Sequence, residues 1–452
     1  MRGIKNPPRL RLSATDAFFV AYQESSGVLM QLGGEADIEG QLTRNELEEM
    51  LSSLLDRWPQ LGQRLRRNLL GVSWAGPCTT NQMLRISDRG TESNGRSPSL
   101  WRNQPIDPFR EPPFQALWIQ HGDKGTLALR AHHSVMDGES FFVVGSEALR
   151  LLAMRRATNA ATLSQRAPVP TIRRLITRKQ LRPRKLRDMW RYTRWLNAEA
   201  AAGRSARLAM DQCATGDTHT SVRLLNREAF LDLKSRAAEA RVSPTVWCAA
   251  AWMRSIHAWN ESRVADPNPV MSLEIPVSLR RSKSNSSEIV GNFISPLVVF
   301  ADAAKPLADV ARDLKSQLSQ AMRAQAHLSM PLLSLPAKFL PWSVFRRVAV
   351  SPGTTGFATS HFTWFEPESN LAAEVERLSE GTLRIVAHRL YTPVCLHMGA
   401  ALAVVASDQG AQLFLTYRGN ALSPTAADQL MDILLSELNQ HAVSQNFKTV
   451  TR

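Results

Sequence analysis

The stretch AHHSVMDGES, residues 131–140, sets two adjacent histidines ahead of an Asp-Gly pair, with Asp137 four positions after His133. The chain has only ten histidines in 452 residues, so two side by side before a turn concentrate titratable chemistry at one place. Upstream, GTLALRAHH (125–133) alternates Leu127, Leu129 and Ala131 with other residues, as a strand with one buried face does. Downstream, ESFFVVGSEALRLLAMRRA (139–157) reads as a helix. The motif therefore occupies the loop between a strand and a helix, a rigid frame for a reactive side chain.

Adjacent residues at a strand end point to opposite faces. His133, nearer the loop, is expected to face substrate, and His132 to pack or hydrogen-bond behind it. Asp137 lies beside the bend that Gly138 permits. A carboxylate buried there needs a cation. Arg280, which closes EIPVSLR (274–280), is the first candidate, and Arg281 the second. The chemistry that fits is acyl transfer. An alcohol attacking a thioester must lose a proton, and a neutral imidazole with a reference pKa of about 6.5 accepts it near neutrality. A positioned base of this kind contributes roughly a hundred- to ten-thousand-fold in rate. A thioester already carries a good leaving group, and the sequence holds no G-x-S-x-G elbow that would argue for an enzyme nucleophile.

Around this motif, the length favours two subdomains over one. LTRNELEEMLSSLLDRWPQL (42–61) has Thr43 as a helix cap and stops near Pro59, and VLMQLGGEADIE (28–39) reads as a strand. A basic stretch at 171–195 holds ten Lys or Arg residues and one acid, Asp188. It marks the boundary between an N-terminal subdomain (1–170), a basic crossover (171–215) and a C-terminal subdomain (216–452). The second half repeats the mixture: strands at 218–225, 269–280, about 400–407 and 411–419, with helices at 227–241, 243–259, 309–326 and 423–440. Interleaved helices and strands in both halves predict an α/β sandwich-like architecture.

HHSVMDG resembles the HHxxxDG motif of the chloramphenicol acetyltransferase-like superfamily. That superfamily includes peptide-synthetase condensation domains and the bacterial wax ester synthase/diacylglycerol acyltransferases. SATDAFFVAYQESSGVLMQLGG (13–34), PQLGQRLRR (59–67), PIDPFREPPFQALWIQHGDKGTLALRAHH (105–133), IPVSLR (275–280) and GNFISPLVVF (291–300) are similar to landmarks of the wax ester synthase group, in the same order. The resemblance implies two similar sandwich subdomains in a V, with a tunnel entered from both ends by donor and acceptor. It implies that His133 is the base and that Asp137 with Arg280 is structural. It further implies an acyl-coenzyme A or acyl-carrier-protein phosphopantetheine thioester as co-substrate, with no bound cofactor. The chain departs from the wax ester group at SPTVWCAAA (243–251), at Ala116-Leu117-Trp118 and at ATSHFTWFEP (358–367). A stand-alone condensation-type enzyme forming an ester or amide from a carrier-bound acyl group is thus a competing reading. A non-catalytic scaffold that binds a carrier or lipid is a third. Within 358–367, His361 is the candidate tunnel-lining residue, with Ser360 and Trp364 beside it.

A net charge of +15 calls for an anionic partner: coenzyme A phosphates, an acidic carrier protein, a membrane surface or nucleic acid. Nucleic acid is disfavoured, because no zinc finger, helix-turn-helix or aromatic-basic sheet motif is present. Leu186, Met189, Trp190 and Thr193 share one helical face, and 327–350 adds apolar and basic residues around Trp342, so both stretches are candidates for peripheral membrane contact. The remaining histidines have no metal-ligand spacing, and no metal is expected. Cys78, Cys213, Cys248 and Cys395 are scattered and read as reduced thiols of a cytoplasmic protein. The N-terminus shows no signal-peptide pattern, and no apolar run approaches the roughly 20 residues of a membrane span.

Overall fold

The computed structural model describes residues 12–68, 71–88, 97–158, 182–211, 216–280, 289–332, 340–351, 358–367 and 370–439. Residues 171–181 of the basic stretch, Arg281, Cys213 and His441 lie outside them.

Thirteen strands are named in chain order. Those of the first half are β1 (Gln31–Glu39), β2 (Gln63–Asn68), β3 (Gly71–Pro77), β4 (Leu84–Asp88), β5 (Phe114–His121) and β6 (Lys124–His132). Those of the second half are β7 (Thr218–Asn226), β8 (Val270–Ser278), β9 (Ile294–Asp302), β10 (Ser360–Phe365), β11 (Arg384–Tyr391), β12 (Ala400–Ser407) and β13 (Gly410–Arg418). They form two main sheets, β11-β1-β6-β5-β4 and β7-β13-β12-β10-β8-β9, with β2-β3 as a separate ribbon. Each sheet carries its own helices and its own core.

In the first lobe, Leu32, Ala36 and Ile38 of β1 pack beneath the helices Arg44–Arg57 and Gly138–Thr158. The first of these helices begins where sequence chemistry dictates. Thr43 accepts from the Glu46 amide while the Glu46 side chain accepts from the Thr43 amide, satisfying two otherwise orphaned donors. The helix Ala14–Ser26 uses the same device with Ser13 and Asp16, and ends on Gly27 in the left-handed conformation at φ 71°. In the second lobe, the helices Pro244–Glu261 and Pro424–Leu438 both open on Ser-Pro-Thr, with the serine as N-cap and proline at the first helical position. Their buried faces close over β12 and β13, and β12 reads as the nearly unbroken apolar run of a central strand.

The lobes are not joined by a linker alone. β11, late in the chain, crosses back and pairs with β1, in register Gly33 to Tyr391 and Asp37 to Ala387. The crossing is tight at Gly33, where any Cβ would collide with the Tyr391 side chain. Asn103 bonds Thr218 across the same junction, and Arg102 bonds Thr220.

In both stretches proposed for membrane contact, some of the apolar residues pack internally and others, Trp195, Val344 and Val348 among them, are exposed. On the helix Pro183–Ala201, Met189 and Leu186 pack with Leu279, Phe293 and Leu328, while Trp190 stays outside. Trp342 packs with Phe345 on the helix Ala14–Ser26 and donates to Glu24 at 3.0 Å. Among the described residues, no helix is long and apolar enough to cross a membrane.

Candidate active site

β6 ends on His132, and the two histidines part as a strand end requires. His132 is fully buried, whereas His133 borders a cavity of about 860 Å³ between the lobes. The cavity is lined by aromatic and aliphatic side chains, Phe19, Phe141, Phe142 and Trp364 among them.

The His133 ring is held on two sides. Phe19, from the first helix, stacks on it at 3.7 Å between centroids and 12° between planes. Asn292 Oδ1 lies 3.1 Å from its Nδ1. The orientation of that amide decides the tautomer. Asn292 Nδ2 lies 2.6 Å from the His133 carbonyl oxygen and 2.9 Å from Asp16 Oδ1, two groups that accept. Nδ2 is therefore the donor end, Oδ1 must accept, and the proton resides on His133 Nδ1. The lone pair is left on Nε2, which has no hydrogen bond among the described residues. Burial pushes the His133 pKa down and outweighs the raising effects of Asp137 and Asn292, so the ring is neutral at neutral pH.

His132 has the opposite arrangement. Its Nδ1 accepts from the Ser134 amide at 3.1 Å and lies 2.8 Å from Ser134 Oγ, so its proton is on Nε2. Burial, with a smaller contribution from the neighbouring imidazole of His133, pushes its pKa down to about 3. It is a neutral wedge that holds the loop.

Asp137 caps the helix Gly138–Thr158. Its Oδ1 accepts from the Ser140 amide at 2.8 Å. Its Oδ2 accepts from the Phe293 amide at 2.8 Å. Arg280 grips both oxygens at 3.0 Å in a bidentate pair, with Asp137 wholly buried and the arginine side chain 3% exposed. Burial alone would raise the Asp137 pKa. The Arg280 charge and the two backbone donors override it and hold the carboxyl below its usual range. Arg280 also reaches Glu139 at 3.1 Å and Ser140 at 2.6 Å. Asp137 N and Ser140 Oγ both donate to the Gly291 carbonyl. The motif loop is thereby stitched to residues 291–293 of the other lobe, and this stitch sets Asn292 against His133. Gly138 borders the cavity, where an added Cβ would sit 3.0 Å from the Phe365 ring. Its φ is not positive, so the need is for smallness rather than for an unusual turn.

Of the three residues named as candidate tunnel lining, His361 and Trp364 border the cavity and Ser360 does not. Strand alternation turns Ser360 into the second lobe's core, where its Oγ accepts from Trp252 Nε1 at 3.0 Å and donates to the Ala400 carbonyl at 2.6 Å. Asn292 and Phe19 are the site residues that sequence reasoning missed. Both lie inside stretches quoted for the resemblance, but nothing local distinguishes them from packing residues. Among the described residues, no cluster of His, Cys, Asp and Glu is arranged to hold a metal ion.

No family model matches the sequence, and no curated protein does. Solved structures do. The first condensation domain of the calcium-dependent antibiotic synthetase, solved with a substrate analogue, superposes with a TM-score of 0.69 at 14% identity, over 96% of this chain and 96% of that one. A mutant starter condensation domain of rhizomide synthetase, bound to C8-CoA and Leu-SNAC, gives 0.66 at 14% identity over 95% and 94%. SgcC5 from Streptomyces globisporus, in complex with a naphthyl ethanediol and sucrose, gives 0.62 at 16% identity over 95% and 98%. The chain thus has the two-lobed, chloramphenicol acetyltransferase-like fold of condensation domains, along essentially its whole described length.

Proposed function

We propose that the protein is an acyltransferase that moves an acyl group from a coenzyme A or carrier-protein thioester to a hydroxyl acceptor, with His133 as general base. One observation carries this reading: a neutral imidazole whose Nδ1 is committed to Asn292, leaving the Nε2 lone pair beside a largely apolar cavity that both lobes line.

The steps follow from that geometry. The acceptor hydroxyl gives its proton to His133 Nε2 as its oxygen bonds to the thioester carbon. The imidazolium that forms is stabilised by Asn292 Oδ1 and by the negative charge of Asp137. The tetrahedral intermediate collapses, the carbon–sulfur bond breaks, and the departing sulfur takes the proton back from Nε2 as a thiol. Asp137 and Arg280 touch no reactant; they position the loop. His132 supports it from behind.

Two versions of this chemistry differ in acceptor and donor. A wax ester synthase-like enzyme would use acyl-coenzyme A and an alcohol, as the sequence landmarks suggest. A stand-alone condensation-type enzyme would use a carrier-bound acyl group and form an ester or amide, and the likeness to synthetase condensation domains supports that version. The basic helix Pro183–Ala201, whose Thr193 and Asn197 border the cavity, would meet the anionic donor in either case.

The test is thiol release from octanoyl-coenzyme A and octanoyl-carrier protein over a panel of alcohols and amines. Wild type should release thiol in an acceptor-dependent way. His133→Ala should lose about a hundredfold or more of kcat while still unfolding cooperatively as a folded protein. Full activity in that variant would defeat the assignment, and acceptor-independent silence of wild type across the panel would favour the scaffold reading.

A further inference from the structure

The second lobe supplies one wall of the cavity, and that wall carries a hydrogen-bonded pair, Glu274 and His361. Strand register arranges its residues in rows. Glu274 of β8 lies between Val298 of β9 and His361 of β10. Two residues further on, Pro276 opposes Pro296 and Thr363 opposes Ala403. Val298, both prolines, Thr363 and Ala403 border the cavity together with the Glu274–His361 pair. A carboxylate thus stands in a surface that is otherwise apolar or hydroxylic.

Such a placement costs desolvation energy. The buried carboxylate of Asp137 receives Arg280 in a bidentate pair. Glu274 receives no arginine among the described residues. Its Oε1 accepts from His361 Nδ1 at 3.2 Å, and its Oε2 has no hydrogen-bond partner among the described residues. The His361 ring is fixed from its other side by Thr363 at 2.7 Å. The two side chains retain 26% and 16% exposure, so the pair is open to the cavity. The other charged residues bordering it are differently placed: Glu139 pairs with Arg280, Arg150 pairs with Glu374, and Glu366 is exposed.

We propose that Glu274, oriented by His361, is a recognition site for a protonated amine carried by the acceptor, separate from the group that is acylated. This deepens the acyl-transfer reading and rests on it. The donor supplies no cation for the site, because the pantetheine arm that reaches the thioester is uncharged and the rest of coenzyme A is anionic. A cation does suit it: a charge-assisted hydrogen bond to an open carboxylate oxygen in a water-poor cavity is worth roughly twice a neutral one. The acceptor class is therefore an amino alcohol or a diamine with an apolar body.

The test compares aminohexanol with hexanediol, equal in length and different only in the ammonium group. Equilibrium binding of both is measured calorimetrically on wild type and on E274Q, with thiol release from octanoyl-coenzyme A run in parallel. Wild type should bind aminohexanol at least about tenfold more tightly, and E274Q should reduce that ratio to about twofold or less. Equal binding of the two by wild type overturns the proposal, as does a preference that survives in E274Q. Because the wild-type comparison needs no variant, a misfolded E274Q does not remove the decision. An intact amine preference without any thiol release would sink the acyl-transfer reading and leave the amine site standing.

Discussion

At the scale of single residues, the site turns on an amide rather than on a charge. Asn292 fixes the His133 tautomer and raises its pKa too little to overcome burial, whereas a carboxylate at the same 3.1 Å would add a full charge and raise it further. Wild-type rate should follow deprotonation of His133, whose pKa burial lowers. The profile should be flat across neutrality and fall only below the ordinary imidazole range near pH 6.5. Asn292→Asp should shift that acidic limb upward by about a pH unit or more, because a charged partner favours the imidazolium. A kcat profile that keeps its wild-type midpoint in Asn292→Asp would show that Asn292 does not govern the base. His132 makes a separate prediction. Its pKa falls from 6.5 to about 3 on folding, so the unfolded chain binds the extra proton in that window. Stability is complete above pH 6.5 and falls as pH drops, at roughly 1.4 kcal/mol per pH unit. His132→Asn keeps an acceptor for the Ser134 amide but does not titrate. It should flatten the decline in urea midpoint between about pH 7 and about pH 5; an unchanged slope would contradict the account.

At the scale of elements, the motif loop and the 291–293 segment are one clamp assembled from opposite lobes. Asp137→Ala should break the bidentate pair, leave the 3%-exposed guanidinium to Glu139 and the Phe293 and Ser140 amides without their acceptor, and cost about 3 kcal/mol, visible as a large fall in melting temperature together with lost activity. A variant that melts like wild type would mean the pair is not the clamp. At the β1–β11 seam, Gly33→Ala should cost about 1–3 kcal/mol, because its methyl group meets the Tyr391 ring and oxygen in a packed crossing. Chemical denaturation measures this directly. The sequence made the strand–loop–helix frame legible, because its alternation and the following helical pattern are local. It also made the Asp137–Arg280 pairing legible, because a buried carboxylate demands a cation. Asn292 was not legible, since an uncharged amide carries no such demand and its partner lies 159 positions away. Ser360 went wrong for a related reason: alternation inside a short strand decides which of two neighbours meets the cavity, and β10's register comes from β8 and β12.

At the scale of the whole molecule, two lobes with separate cores share one cavity, and β11 ties them by leaving the half of the chain it belongs to. Sequence anticipated the two lobes from interleaved elements and from the resemblance. It did not anticipate the crossing strand, because a strand's alternation names its faces and not its neighbours. The chain carries a net charge of +15, while the cavity presents a carboxylate. That division suits an anionic donor arriving from outside and a cationic acceptor settling within. The central claim remains the state of one ring between the lobes. Nitrogen-15 NMR of histidine-labelled protein, with His133 assigned by its loss in His133→Gln, measures that state directly. The account predicts a neutral ring at pH 7, protonated on Nδ1 and bare on Nε2. A ring protonated on Nε2, or an imidazolium at that pH, would contradict it.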